Sequence, residues 1–169
     1  MRGNVASVPH RHVPKPYASC PTAVVNAPAG IVWRLLTEPT GWGGVFDVRI
    51  TKVDPPGPAI VGQKFYGESG PRLLRLRLTF EYIKIDPGPH VLELNVQFPF
   101  GVCVREELDC IPLSATQCRV NYHCNFSFPA GWRGALLRLI MGHRLDTGPI
   151  DSLARLKRAA EQASSKQAL

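Results

Sequence analysis

The sequence predicts an α+β domain in which a curved antiparallel sheet of seven strands wraps around a long C-terminal helix. Three observations predict it. Residues 20–128 form successive strand-like runs separated by turn sequences rich in Gly, Pro, Asp and Ser. Several runs alternate apolar and polar side chains, which indicates a sheet with one buried face. Residues 132–163 have helical periodicity instead, and they form the segment long enough to cover that face.

Length and composition fit a single globular domain. The chain has 169 residues, of which 44% are hydrophobic and 20% are charged, a composition too apolar for a disordered chain. No uncharged apolar run reaches about 18 residues, so no transmembrane span is predicted. We predict a disordered basic leader at residues 1–17, the domain at 18–165 and a tail at 166–169.

The order of the elements follows from the turn signals between them. The predicted strands are Cys20–Asn26, Val45–Val53, Ala59–Tyr66, Arg72–Ile85, His90–Phe98, Val102–Ile111 and Gln117–Phe128. Pro28, at a first-turn position, begins a short helix that ends at Thr37. Because the connections between the later strands are short, we expect those strands to be antiparallel neighbours.

The C-terminal segment contains two helical stripes. Trp132, Leu136, Leu139, Ile140 and His143 lie on the first stripe, which we expect to face the sheet. The sequence Thr147-Gly148-Pro149 predicts an interruption. A second helix would then begin with Gly148 as its N-cap, and its apolar stripe would run from Ile150 to Ala163.

Two segments resemble the START-like superfamily, also called SRPBCC or the helix-grip fold. The segment Ala27–Thr37 (APAGIVWRLLT), followed by Trp42, resembles the opening of these proteins, and Leu153–Glu161 (LARLKRAAE) resembles their closing segment. The resemblance covers about residues 19–163 and is to the polyketide cyclase/dehydrase-like branch. It implies two short helices between the first two strands and an internal pocket for a hydrophobic or amphipathic small molecule. The superfamily includes carriers and cyclases, and the fold alone does not choose between them.

Glu106 is the most informative candidate for chemistry. Alternation in its strand places it on the inward side with Val104 and Leu108. A carboxylate there must be paired, solvated by a cavity, or protonated through a raised pKa. It would then serve as a general acid or base in a cyclisation or a dehydration. The alternative is that Glu106 lies in water at the open end, or that a bulge exchanges it with Glu107.

Further candidates share the inward parity or the first helical stripe. Tyr122 and His143 join Glu106 as candidate catalytic groups, although such residues also serve as satisfied core or helix-end groups. Trp33 and Trp42 are candidate gates for the pocket. The predicted ligand-binding residues are the inward apolar and aromatic ones: Phe46, Leu76, Phe80, Tyr82, Leu94, Val96, Phe98, Val104, Leu108, Val120, Phe126 and Leu139.

Charge and cysteine usage narrow the choice of partners. The net charge is +7, but the excess lies in the leader and the terminal helix rather than among aromatics on one surface, which argues against a nucleic-acid binder. Five cysteines without a C-x-x-C motif or a signal peptide predict reduced thiols in a cytoplasmic protein, with the inward cysteines acting as small hydrophobes. No motif predicts a metal or a cofactor.

Three functions follow from these observations. We expect a binding protein or carrier for a hydrophobic or amphipathic small molecule. The alternative is an enzyme that cyclises or dehydrates a polyketide-like substrate by acid–base chemistry. A third possibility is an interaction module for protein or nucleic acid that uses the basic termini. The sequence leaves the ligand and the oligomeric state open.

Overall fold

The computed structural model describes residues 17–46, 48–70 and 75–167. The helices are α1 (Ala29–Thr37) and α2 (Trp132–Gln167), and 3₁₀ turns span Pro39–Gly44 and Pro99–Gly101. The strands are β1 (Tyr17–Ser19), β2 (Thr22–Val25), β3 (Val48–Asp54), β4 (Lys64–Ser69), β5 (Leu76–Asp86), β6 (Val91–Gln97), β7 (Cys103–Pro112) and β8 (Cys118–Ser127).

One antiparallel sheet contains all of these strands. Strands β3 to β8 follow one another in a meander, and both β1 and β2 pair with β8. The predicted first strand, Cys20–Asn26, corresponds to β2, and β1 is a short strand that was not predicted. Between them the Pro21 carbonyl accepts a hydrogen bond from the Tyr122 amide at 2.9 Å. The predicted helix-grip architecture is confirmed.

The ends of the predicted segments shift by up to five residues. The largest shift is in the strand predicted at Ala59–Tyr66, which is observed as β4, Lys64–Ser69. Tyr17, assigned to the leader, lies in β1, while the rest of the leader falls outside the described residues. At the other terminus, α2 continues to Gln167 and includes residues assigned to the tail. The two short helices implied between the first strands are present as α1 and the 3₁₀ turn Pro39–Gly44, which delays the start of β3 to Val48.

Helix α2 is continuous, so the predicted interruption at Thr147-Gly148-Pro149 is wrong. Pro149 lies inside the helix, although proline removes one intrahelical hydrogen bond there. It is buried, and so are Leu145, Leu153 and Leu156 on the same stripe. Packing of this stripe under the sheet outweighs the local preference of proline for a helix start.

The first half of α2 presents the opposite face from the one predicted. Gly134 and Leu145 are buried and Met141 is half-buried, which places the inward stripe at these positions. The predicted stripe of Trp132, Leu136, Leu139, Ile140 and His143 is instead exposed. At about 100° per residue, the two stripes lie on opposite sides of the helix. Both stripes are apolar, so a prediction based on hydropathy alone favoured the predicted stripe, which contains more residues.

The concave face of the sheet is filled unevenly along the strands. At one end, called here the closed end, the Trp33 ring of α1 lies 5.5 Å from the His90 ring at the β5–β6 turn. There the Tyr82 hydroxyl donates a hydrogen bond to the Leu36 carbonyl at 3.0 Å. At the other end, the open end, lie the β6–β7 connection and the start of α2. The cavity described below occupies the open half because α1 covers only the closed half.

Candidate functional site

A cavity of about 220 Å³ lies between the open half of the sheet and the middle of α2. Its sheet wall consists of inward side chains of β3 to β8, and its helical wall consists of residues 141–155 of α2. The lining residues are Trp42, Phe46, Val48, Ser69, Leu78, Phe80, Val96, Phe98, Val104, Glu106, Tyr122, Cys124, Phe126, Met141, Arg144, Leu145, Gly148, Pro149, Asp151, Ser152 and Arg155. A few polar groups among many apolar ones is the usual composition of a site for an organic ligand.

Glu106 lies on the sheet wall of this cavity. Its cross-strand neighbours are Leu94 on β6 and Cys124 on β8. Burial among such side chains raises the pKa of the Glu106 carboxyl from its ordinary value near 4.5 to about 7. The carboxyl group is therefore poised between its neutral and ionised forms near neutral pH.

Regular strand pairing fixes the orientation of Glu106. Glu107 pairs with Glu93 and His123 on the outward side, and the register through this stretch has no bulge. The inward placement predicted by alternation is thus observed, and the proposed exchange of Glu106 with Glu107 does not occur.

Tyr122 is the hydrogen-bond partner of Glu106. It lies on β8 with its side chain on the same face, and its hydroxyl donates to the Glu106 carboxylate, which partly offsets the effect of burial on the Glu106 pKa. Burial raises the pKa of the Tyr122 hydroxyl well above its usual value, and the adjacent Glu106 charge raises it further. The hydroxyl therefore remains a proton donor throughout the physiological range.

The buried cysteines behave as small apolar side chains. Burial raises the pKa of the Cys110 thiol to about 12, and the pKa values of Cys118 and Cys124 are also raised, chiefly by burial. Thiols that stay protonated are poor nucleophiles. Cys124 borders the cavity, where it adds to the apolar wall.

Eight predicted site residues meet at the cavity and seven do not. Those that line it are Phe46, Phe80, Val96, Phe98, Val104, Glu106, Tyr122 and Phe126. Tyr82, Leu94, Leu108 and Val120 are buried outside the lining. Leu76 lies at the start of β5 and is partly exposed, while Leu139 and His143 lie on the outer face of α2. Alternation predicts the face of a strand correctly, but it contains no information about position along the strand.

Sequence reasoning missed the helical wall. Met141, Leu145 and Pro149 line the cavity, and so do four polar or charged residues of the same helix: Arg144, Asp151, Ser152 and Arg155. The sequence signal that could have found this wall is the spacing of four between Met141, Leu145 and Pro149. These residues form a second apolar stripe, which competed with the predicted stripe. Trp42, predicted as a gate, lies in the wall in edge contact with Phe65 and Phe80.

Two features are absent from the part of the chain that the structure describes. No group of three or more His, Cys, Asp or Glu side chains within those residues is placed to hold a metal ion. No helix within them is long and apolar enough to cross a membrane.

The sequence matches a family model described as polyketide cyclase/dehydrase and lipid transport over residues 21–161. The match spans most of the chain. The chain belongs to this family. Its START-like resemblance is thereby confirmed, while a search of curated proteins found no match.

Several solved structures share the fold. The Zhui aromatase/cyclase from Streptomyces sp. R1128 superimposes with a TM-score of 0.68 at 17% identity, covering 87% of this chain and 94% of the other. Norcoclaurine synthase from Thalictrum flavum, solved with dopamine and hydroxybenzaldehyde, gives 0.63 at 13% identity, covering 94% of each chain. A protein from Thermus thermophilus gives 0.69 at 14% identity, covering 88% and 99%. At such identities the likeness establishes the fold alone.

Replacing Glu106 by Gln is expected to change how stability depends on pH. The native state holds the Glu106 proton up to about pH 7, whereas the unfolded chain loses it near 4.5, so the native state binds more protons between these values. The contribution of Glu106 to the free energy of unfolding therefore falls as pH rises through this range. Glu106→Gln should match the wild type near pH 4 and exceed it by up to about 3 kcal/mol at pH 8, measured by urea unfolding.

Glu107→Gln is the matched control because Glu107 is the exposed neighbour on the same strand. This variant should follow the wild-type pH dependence. Equal behaviour of the two variants would contradict the raised pKa of Glu106.

Proposed function

We propose that the protein binds an amphipathic small molecule in the cavity, with the apolar body of the ligand against the aromatic wall and an oxygen directed at Glu106 and Tyr122. The observation that supports this most is that Glu106 and Tyr122 converge on the sheet wall of a cavity whose sheet side is otherwise mainly apolar and aromatic. Burying a carboxyl group costs free energy. Packing of the protein interior alone therefore does not explain why Glu106 lies there.

The Trp42 indole supports an oxygen-bearing ligand independently. Trp42 is 2% exposed and borders the cavity. Its Nε1–H has no hydrogen-bond partner among the described residues. Buried donors are usually satisfied, so a carbonyl or hydroxyl oxygen of a bound molecule is a suitable acceptor for it. An aromatic or polyketide-like ligand combines such oxygens with a flat apolar body.

The structural relatives support the same ligand class. One of them is an aromatase/cyclase, and another was solved with dopamine and hydroxybenzaldehyde. Phe46, Phe80, Phe98 and Phe126 give the present cavity aromatic surfaces against which a ring can pack.

Filling the cavity should abolish binding without unfolding the protein. Val96 lines the cavity, whereas Leu92 on the same strand and face lies in the closed core. We expect Val96→Phe to lose at least about tenfold in affinity for phenols such as 2-naphthol, measured by calorimetry, because the new ring occupies the ligand volume. Leu92→Phe should keep the affinity and lose about 1–3 kcal/mol of stability from overpacking.

Native mass spectrometry of the purified wild type supplies the second readout, since an occupied cavity gives a mass adduct. A wild type that is always empty and binds no member of a panel of phenols and quinones would contradict the proposal. So would a Val96→Phe variant that binds as tightly as the wild type.

A second candidate function is acid–base catalysis of a cyclisation or dehydration. The observation that favours it is the Glu106 pKa near 7, because a group that titrates near the working pH transfers protons most effectively. In this function Glu106 would remove a proton next to a carbonyl or protonate a leaving oxygen. Tyr122 would donate a hydrogen bond to the oxygen on which negative charge develops.

The Kemp elimination tests this competence without knowledge of the natural substrate. A carboxylate base takes the C3 proton of 5-nitrobenzisoxazole, the C–H electrons form the nitrile, and the N–O bond breaks to give a phenolate. We expect kcat/KM to rise with pH around a midpoint near 7 and to fall about 10²–10⁴-fold in Glu106→Gln. Glu107→Gln should retain the activity. Equal rates in the two variants would remove Glu106 as a base.

A further inference from the structure

The most exposed large apolar side chains of the described residues lie together at the open end of the molecule. They are Leu139 (79% exposed), Phe100 (77%), Trp132 (72%) and Ile140 (68%), and Leu136 is also exposed. We call these five residues the apolar outer face. Scattered apolar residues are common on protein surfaces, but a contiguous group on one helix and an adjoining loop indicates an interaction site.

Two elements build this face side by side. The β6–β7 loop and the segment before α2 meet at Pro129, since a Cβ on Gly101 would lie 3.3 Å from the Pro129 ring. The Pro129 carbonyl also packs against Gly134 so closely that no Cβ would fit there. Phe100 at the loop tip and Trp132 at the helix start are therefore neighbouring features of one surface.

The backbone of Phe100 shows that its exposure is imposed by the fold. Its φ of 65° and ψ of 17° lie in the left-handed region, which is rare and unfavourable for a bulky residue. The Phe100 ring is exposed to solvent on a backbone conformation that costs free energy. Such a residue is a candidate for contact with a binding partner.

Helix α2 extends beyond the sheet that it crosses. Its 36 residues correspond to about 54 Å, whereas a strand of 10 residues such as β7 spans about 33 Å. The C-terminal part of α2 is tied to β2 by a hydrogen bond from the Lys157 ammonium to the Val24 carbonyl at 2.8 Å. Residues 158–167 continue past this contact at the closed end, and the remaining excess length lies at the open end, where it presents the apolar outer face.

The charge near this face is mainly positive. Residues 132–146 include Arg133, Arg138 and Arg144, of which Arg144 also borders the cavity, and one acidic residue, Asp146, which accepts a hydrogen bond from the Tyr17 hydroxyl. The Arg138 guanidinium lies 5.8 Å from the Tyr17 ring. Apolar side chains interleaved with arginines match the interface of an anionic membrane, which offers both negative headgroups and an apolar interior.

We propose that the apolar outer face docks the protein on the surface of an anionic phospholipid bilayer. The helix would lie in the headgroup layer with Trp132, Leu139 and Ile140 inserted. The opposite side of the same helix, through Met141 and Leu145, lines the cavity, so docking places the cavity beside the bilayer. This proposal goes beyond ligand binding and does not depend on it.

The same observations favour a bilayer over two other occupants. A second copy of the chain on this face would bring three arginines of each helix together against one acidic residue, Asp146, which already accepts a hydrogen bond from Tyr17. A nucleic acid would satisfy the arginines but would leave the tryptophan and the aliphatic side chains in water.

Vesicle binding by the full chain tests the proposal. We expect co-sedimentation with vesicles of phosphatidylcholine mixed with phosphatidylserine, little with phosphatidylcholine alone, and weaker binding as salt is raised. Brominated acyl chains should quench tryptophan fluorescence in the wild type and not in Trp132→Phe, which retains Trp33 and Trp42. Arg133→Gln should lower the partition coefficient about fivefold, and Leu139→Gln with Ile140→Gln should lower it at least about tenfold.

Ile60→Gln and Val61→Gln are the matched controls, because these exposed apolar residues lie on the β3–β4 connection at the closed end. They should bind vesicles like the wild type. Equal loss in controls and outer-face variants, or no binding to the anionic vesicles, would overturn the proposal. A dimer in sedimentation velocity that Leu139→Gln dissociates, without vesicle binding, would assign the face to self-association. Binding only to an oligonucleotide would assign it to nucleic acid.

Discussion

The incomplete covering of one concave sheet face is the constraint on which the rest of the structure depends. The inward sides of β5 to β8 are apolar except at Glu106 on β7, but α1 packs over their closed half alone. Helix α2 crosses the remaining half at a distance that side chains do not fill. The same inward alternation therefore produces a solid core at one end and a cavity at the other.

This division also determines the electrostatics of the site. Glu106 lies at the boundary between the closed core and the cavity. Its neighbours on the sheet are apolar, and it still borders a space that a ligand can enter. Raising its pKa from 4.5 to about 7 corresponds to about 3 kcal/mol of unfavourable interaction for the charged form. The Tyr122 hydroxyl offsets part of this penalty. The fold therefore keeps a proton donor or acceptor on the mainly apolar sheet wall of the cavity.

Much of this architecture is predictable from local patterns, and the exceptions have physical causes. Alternation places Glu106 and Tyr122 on the inward face because side-chain direction in a strand has a period of two residues. It cannot tell Val96, which lines the cavity, from Leu94 two residues earlier, which is buried in the core. That distinction depends on where α1 lies, which is a tertiary property.

Helix α2 shows a different limit. Two apolar stripes compete along its first half, and the sheet contacts the one that contains Leu145 and Met141. The other stripe, with Leu139 and Ile140, is more hydrophobic and faces away. A similar override keeps Pro149 inside the helix, since its burial against the cavity outweighs the hydrogen bond that it cannot make.

A direct test of the central claim is the titration of the Glu106 side-chain carboxyl carbon by NMR in protein labelled with ¹³C-glutamate, assigned by comparison with Glu106→Gln. The cavity environment predicts a midpoint near 7 and a change in that midpoint when a ligand occupies the cavity. A midpoint near the ordinary glutamate value of about 4.3, unchanged by every ligand tried, would show that Glu106 is in water and would contradict the account.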